Sequence, residues 1–169
     1  MKKLLLVSLS LVLISAFFAG STSRVTAQEP KILEFDTMVG VPMGLTGTAS
    51  QPVLRGIRGG GLPWVLTSAH GQLTTSGKLE IEVQGLVLAA GTNAGSNPIA
   101  IFRGLVSCLG SDGSVQNIST GPFPATIGPA SAGGGNAKIE AIINLPQPCI
   151  APIIFVTSDG GSWFAATGN

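Results

Sequence analysis

The stretch Lys78-Leu-Glu-Ile-Glu-Val-Gln84 alternates apolar and polar residues without a break. Successive side chains of a strand point to opposite faces, so Leu79, Ile81 and Val83 share one face while Glu80, Glu82 and Gln84 share the other. A helix would scatter both sets around its axis. The stretch is therefore a strand with one dry face, and a dry face needs a second layer to cover it. The same period runs through Lys138 to Leu145, where Ile139, Ala141, Ile143 and Leu145 oppose Lys138, Glu140 and Asn144, with Ile142 breaking the rule.

Further strands are expected at Ile32–Val39, Trp64–Leu73, Ile99–Leu109, Ser114–Thr120 and Phe123–Ile127, each rich in β-branched or aromatic residues and bounded by Gly, Pro, Asn or Ser. Thr74-Thr75-Ser76-Gly77 and Asp159-Gly160-Gly161 are short links between strand patterns and predict hairpins. The second joins Ile153–Ser158 to Ser162–Thr167. Pro152 has no amide hydrogen, so residues 149–152 are expected to approach the strand rather than belong to it. The four successive apolar residues Ile153 to Val156 are expected to be buried on both faces or to lie in the middle of a sheet. No amphipathic helix is expected beyond the first residues. About eight short strands make this an all-β chain, predicted as an antiparallel β-sandwich of immunoglobulin-like or jelly-roll-like type.

The N-terminus sets the expected context. Met1-Lys2-Lys3, an apolar stretch from Leu4 to Gly20, and Val25-Thr26-Ala27 have the layout of a secretory signal peptide cleaved before Gln28. Residues 28–169 would then form one secreted domain, extracellular or periplasmic according to the envelope of the host. After residue 27 no run approaches the roughly 18–20 apolar residues of a spanning helix, so no membrane span is expected there. Of nine Lys and Arg, Lys2, Lys3 and Arg24 lie in the leader, whereas all eight acids lie beyond it, which leaves a net charge of −2. With no Lys/Arg cluster, nucleic acid is not an expected partner.

Cys108 and Cys149 are the two cysteines, and in an oxidising compartment a lone pair is expected to join. Their spacing is unlike the Cys-x-x-Cys of redox sites, and no His lies near either. His70 is the single histidine. As a general base it would need a nucleophile such as Ser68 or Ser107 and a carboxylate such as Asp112 or Asp159 brought to it by the fold. No Gly-x-Ser-x-Gly elbow is present, so no catalytic residue is assigned and a His70 hydrolase is the enzymatic alternative.

One His and two paired cysteines make a poor zinc site. Asp112-Gly113-Ser114 and Asp159-Gly160-Gly161 lack the repeated acids of a calcium loop and are expected as turns, so no metal and no cofactor is predicted. Glu80 and Glu82 share a strand face and resemble a glycosidase pair only in that respect. The tracts Gly59–Gly61 and Gly133–Gly135 are expected as loop crossings. Asn117-Ile118-Ser119 matches a glycosylation acceptor. Trp64 and Trp163 follow glycine-rich turns, where the two rings either cap opposite ends of the core or are offered to a sugar or a protein partner, the sugar being the carbohydrate-binding alternative.

The blocks GGGLPW, NPIAIFRGLVSCLG, FPAT and LPQPCIAPIIFVTS together resemble a group of small secreted microbial β-rich proteins with no assigned activity. The resemblance covers most of residues 55–169. It implies secretion, a β-rich fold and the Cys108–Cys149 bond, and it brings no catalytic residues. GKLEIEVQGLVL is similar to a strand of chordin-type (CHRD) secreted sandwich domains, whose histidine motif is missing here, so that similarity is one of architecture. The expected function is non-enzymatic: extracellular binding of a protein or glycan, or a structural role.

Overall fold

The computed structural model describes residues 29–43 and 53–168. The expected leader lies outside the described residues. The strands, in chain order, are β1 (Lys31–Phe35), β2 (Val39–Gly40), β3 (Trp64–Val65), β4 (Ser68–Thr74), β5 (Lys78–Gln84), β6 (Val87–Leu88) and β7 (Ser96–Asn97). They continue with β8 (Ile101–Leu109), β9 (Val115–Ser119), β10 (Phe123–Pro124), β11 (Gly128–Pro129), β12 (Ala137–Ile142), β13 (Ile150–Thr157) and β14 (Trp163–Ala166). A short 3-10 turn occupies Ala130–Ala132. No helix among the described residues is long and apolar enough to cross a membrane.

The chain is all-β and its two main sheets form a sandwich. One has the order β1-β4-β5-β12; the other has the order β10-β8-β13-β14-β2, with β9 also paired to β8. Every strand pair is antiparallel. Between the sheets lie Leu73, Leu79, Ile81, Val83 and Ile139 from the first, and Phe102, Val106, Ile154 and Val156 from the second, all buried. The alternation in β5 is realised as expected: Leu79, Ile81 and Val83 are inside. Ile142, the exception in β12, faces solvent with 82% of its surface exposed.

The predicted segments differ from the observed strands at three places, each for a physical reason. The segment 32–39 divides at Asp36: β1 joins the first sheet and β2 the second, so the chain changes layers there. The segment 64–73 likewise divides into β3 and β4. Pro152 lies inside β13, not before it, and the register shifts between Ile150 and Ile153. A ladder that skips at this point needs no amide from residue 152, which is how a strand admits proline. The two-residue strands β2, β3, β6, β7, β10 and β11 pair over too short a length to leave a periodic signal.

Both predicted hairpins form. In the β4–β5 turn the Gly77 amide donates to the Thr74 carbonyl at 3.0 Å, with Gly77 in the left-handed region at φ 86°. The β13–β14 turn closes through Ser158 N to Ser162 O at 2.8 Å. Cys108, near the end of β8, is disulfide-bonded to Cys149, just before β13, across a sequence separation of 41 residues. The bond lies beside the register pair Leu109–Ile150, so it staples the two central strands of the second sheet at one end.

Candidate functional site

The outer faces of the two sheets are finished differently. On the second sheet, Phe155, Thr157 and Ser107 point away from the first sheet and are nevertheless buried. Their cover is a strap of residues 53–60. A tight turn closes it through reciprocal Leu54–Ile57 backbone bonds of 3.1 and 2.9 Å. At the β14 edge, Trp163 N donates to Arg58 O at 2.9 Å and Gly60 N donates to Trp163 O at 2.8 Å. Across the face, Asn117 Nδ2 of β9 donates to Arg55 O at 3.1 Å, and Arg55 Nη2 donates to the carbonyl of Ala151 in β13 at 3.0 Å. Arg55 and Ala151 both have positive φ, 52° and 46°. Non-glycine residues there carry strain.

The outer face of the first sheet is polar. Strand alternation and register set its side chains in rows. One row runs Glu34, Gln72, Glu80, Glu140 across β1, β4, β5 and β12; the next runs His70, Glu82, Lys138. Gln72 Nε2 donates to Glu80 Oε2 at 2.6 Å, and Lys78 pairs with the other Glu80 oxygen. Gln84 Nε2 donates to Glu82 Oε1 at 3.2 Å, while Lys138 pairs with Glu140 at 2.8 Å. The hydrogen bond from Lys78, and then that from Gln72, hold the Glu80 carboxyl below the usual carboxylate range. The same contacts raise Lys78 and, through Glu140, Lys138.

These rows line a depression of about 310 Å³ bounded by Glu34, His70, Gln72, Glu80, Glu82, Lys138 and Glu140. An adjoining cleft of about 490 Å³, lined by Gln84, Pro124, Thr126 and Asn136, shares Glu82 and Lys138 with it. The two adjoin along the Glu82–Lys138 row as a trough rimmed by polar side chains. It presents carboxylate acceptors, three amides, an ammonium and an imidazole, a set suited to hydrogen-bonding a polar partner.

The other candidates do not meet in one place. His70 is exposed, with its Nε2 3.7 Å from Glu82 Oε2. Ser68 starts the same strand, whereas Ser107 is fully buried on the second sheet. Asp112 Oδ1 accepts the Ser114 amide at 2.9 Å within its own turn, and Asp159 pairs with Arg103 at 2.6 Å. The residues named as a hydrolytic set therefore lie on four separate parts of the molecule. Among the described residues no group of three or more His, Cys, Asp or Glu is placed to hold a metal ion.

Both indoles are buried, Trp64 to 4% and Trp163 to 3% exposure. They do not cap opposite ends of the core. Trp64 packs against Phe164 at a ring distance of 4.1 Å, and Trp163 packs edge-on against Phe155 at 5.9 Å. Trp163 belongs to β14 and turns to Phe155 of β13, whereas Trp64 packs on the next β14 residue, Phe164. The side-chain amide of Asn117 holds the strap, and Gly59 and Gly60 belong to the strap itself.

Sequence reasoning missed the strap and Asn97. The strap has no periodicity to betray it. Asn97 is 1% exposed and fully engaged: Nδ2 donates to Ile99 O at 2.7 Å and to Thr126 O at 2.9 Å, and Oδ1 accepts the Ile99 amide at 2.9 Å. Its only sequence signal is Asn before Pro, which marks a turn and not a buried bridge. No family model, curated protein or solved structure matches the chain.

Proposed function

We propose that the protein is a secreted, non-enzymatic β-sandwich that acts outside the cell by binding, and that it binds through the open face of its four-stranded sheet. The observation that carries this reading is the asymmetry of the two outer faces. The chain spends its own 53–60 strap on covering one sheet and leaves the other with a trough of polar side chains whose register is fixed by four paired strands. A rigid sheet displays such groups more precisely than a loop. The partner is a protein or a glycan that offers donors to Glu34, Glu80, Glu82 and Glu140. The burial of Trp64 and Trp163 removes the aromatic platform from the glycan version, leaving hydrogen bonding to do the recognition. Secretion, in turn, rests on the N-terminal layout, the disulfide and the resemblance to small secreted microbial proteins.

Charge reversal tests the reading. Folded wild-type protein and a Glu82→Lys/Glu140→Lys variant are used to capture partners from the native extracellular fraction and to probe a glycan array. A partner retained by the wild type and lost by the variant, with melting temperature preserved, supports it. Equal capture by both overturns the assignment of the face.

A further inference from the structure

Strand β9 lies at an edge of the second sheet, and among the described residues it pairs with β8 alone. Backbone bonds close its ladder at both ends: Gly110 N donates to Ser114 O at 2.9 Å, and Thr120 N donates to Gly104 O at 2.8 Å. Bonded and non-bonded pairs alternate along an antiparallel ladder. Counting inward from those two ends, Gln116 and Ile118 turn their main-chain groups to β8. Val115, Asn117 and Ser119 turn theirs away from the sheet, so each offers an N–H and a C=O at an exposed edge.

Such an edge is a template for a further strand unless something blunts it. The other edges are blunted. β1 carries a register break between Lys31 and Leu33 and the Lys31–Glu34 ion pair. β12 is covered at its start by the Ala125–Ala137 bridge and by the 2.9 Å bond from Thr126 N to Asn136 O, and beyond these it presents Lys138 and Glu140. β2 and β10 are two residues long, and β10 ends in Pro124. In contrast, β9 reads Val-Gln-Asn-Ile-Ser, with no charge, no proline and no break in its register.

An extended strand fits this edge, and β9 fits itself. Set antiparallel to its own copy about a two-fold axis at Asn117, it places Asn117 opposite Asn117, Val115 opposite Ser119 and Gln116 opposite Ile118. The residues that then meet as bonded pairs are the ones whose main-chain groups point outward, so every such group finds a partner. No like charges meet, because the strand has none and the nearby Arg55 side chain runs inward to the Ala151 carbonyl at 3.0 Å.

We propose that two copies of the protein associate through β9, joining their second sheets into one continuous sheet across a two-fold axis. This edge belongs to the second sheet, so the proposal stands or falls independently of the polar face of the first.

Sedimentation velocity of the folded, disulfide-bonded protein tests it, from micromolar to millimolar concentration. The expected result is a shift from one copy to two as concentration rises. Val115→Lys/Ser119→Lys sets lysine against lysine at both 115–119 pairs and should weaken the dimer Kd by about tenfold or more. Val115→Lys/Ser119→Glu sets lysine against glutamate at the same pairs and should keep the dimer. Melting temperature shows that each variant is folded. In the wild type, hydrogen exchange of the Val115, Asn117 and Ser119 amides should slow with concentration, a reading that needs no variant.

Three outcomes overturn the proposal. A wild type that stays monomeric, with exchange at these amides independent of concentration, leaves the edge to a strand of some other protein. Equal dimerisation of all three proteins puts the contact elsewhere. Loss of the dimer in both folded variants rules out the two-fold axis at Asn117.

Discussion

Gly104 on β8 faces Ile81 on β5 across the sandwich, so closely that a Cβ on Gly104 would stand 3.2 Å from Ile81 Cδ1. It would also stand 3.0 Å from Leu79 Cδ2 and 3.3 Å from Ile139 Cγ2. All three neighbours are buried core side chains with little freedom to retreat. Gly104→Ala is expected to destabilise the protein by about 1–3 kcal/mol through overpacking, and Gly104→Val by more. Urea unfolding measures it; an unchanged midpoint would mean that the sheets can separate locally.

The intact protein should contain no free thiol, as the Cys108–Cys149 bond requires. Cys149→Ser, paired with Cys108→Ser to avoid a stray thiol, should lower stability by about 2–5 kcal/mol. Thiol titration in denaturant without reductant checks the premise, and denaturant midpoints check the size of the loss.

Asn97→Ala would strip this partner from the Ile99 amide and the Ile99 carbonyl, while the Thr126 carbonyl keeps the Gly135 amide at 2.7 Å. A group left without its partner costs about 1–3 kcal/mol when it is kept from water, so with two such groups this substitution should cost about 2 kcal/mol or more. Asn97→Asp keeps the acceptor and loses the two donors. Its second carboxylate oxygen would face the Ile99 and Thr126 carbonyls inside the protein, so it should cost at least as much as alanine at neutral pH, as calorimetry can show.

Stability should be flat near neutral pH and fall at both extremes. Glu80 has its folded pKa depressed, first by Lys78 and then by Gln72. Its contribution is present above the unfolded value of about 4.3 and is lost as pH drops through the lower folded value. Glu29 and Asp112, lowered chiefly by Ser76 and Ser114, act in the same sense. Lys78 and Lys138 are raised, chiefly by hydrogen bonds to Glu80 and Glu140. Their contribution is complete below about 10.4 and is lost as pH climbs through the raised folded value. These groups are exposed, so the slopes should be shallow and shrink in salt. Glu80→Gln should flatten the acid limb in urea midpoints taken across pH.

His70→Ala should change stability by no more than about 0.5 kcal/mol, as befits an exposed side chain whose nearest charged neighbour stands 3.7 Å away. Screens on ester, glycoside and peptide substrates should read the same for both proteins. A loss of turnover with stability retained would make the protein a hydrolase and displace the binding reading.

What the sequence determined by itself is whatever depends on neighbours a few residues apart. Alternation fixed β5 and β12 and told their inner faces from their outer ones, because strand period is a local property. It also made Glu80, Glu82, Lys138 and Glu140 outward residues, and glycine at position 77 marked the turn that joins β4 to β5. The apolar run at Ile153 to Val156 allowed cover on both faces or a central place in a sheet, and β13 has both. Only the tertiary structure decided what covers it. The strap that covers it carries no period, and its anchors, Asn117 and Ala151, lie 62 and 96 residues from Arg55. For the same reason Asn97 read as a turn residue: its partners are backbone groups, and backbone groups look alike in every sequence. The place of Pro152 inside a strand, the burial of both indoles and the polar rows of the first sheet all follow from register. Register is set when two sheets close on a shared core, by contacts that no short stretch of sequence contains.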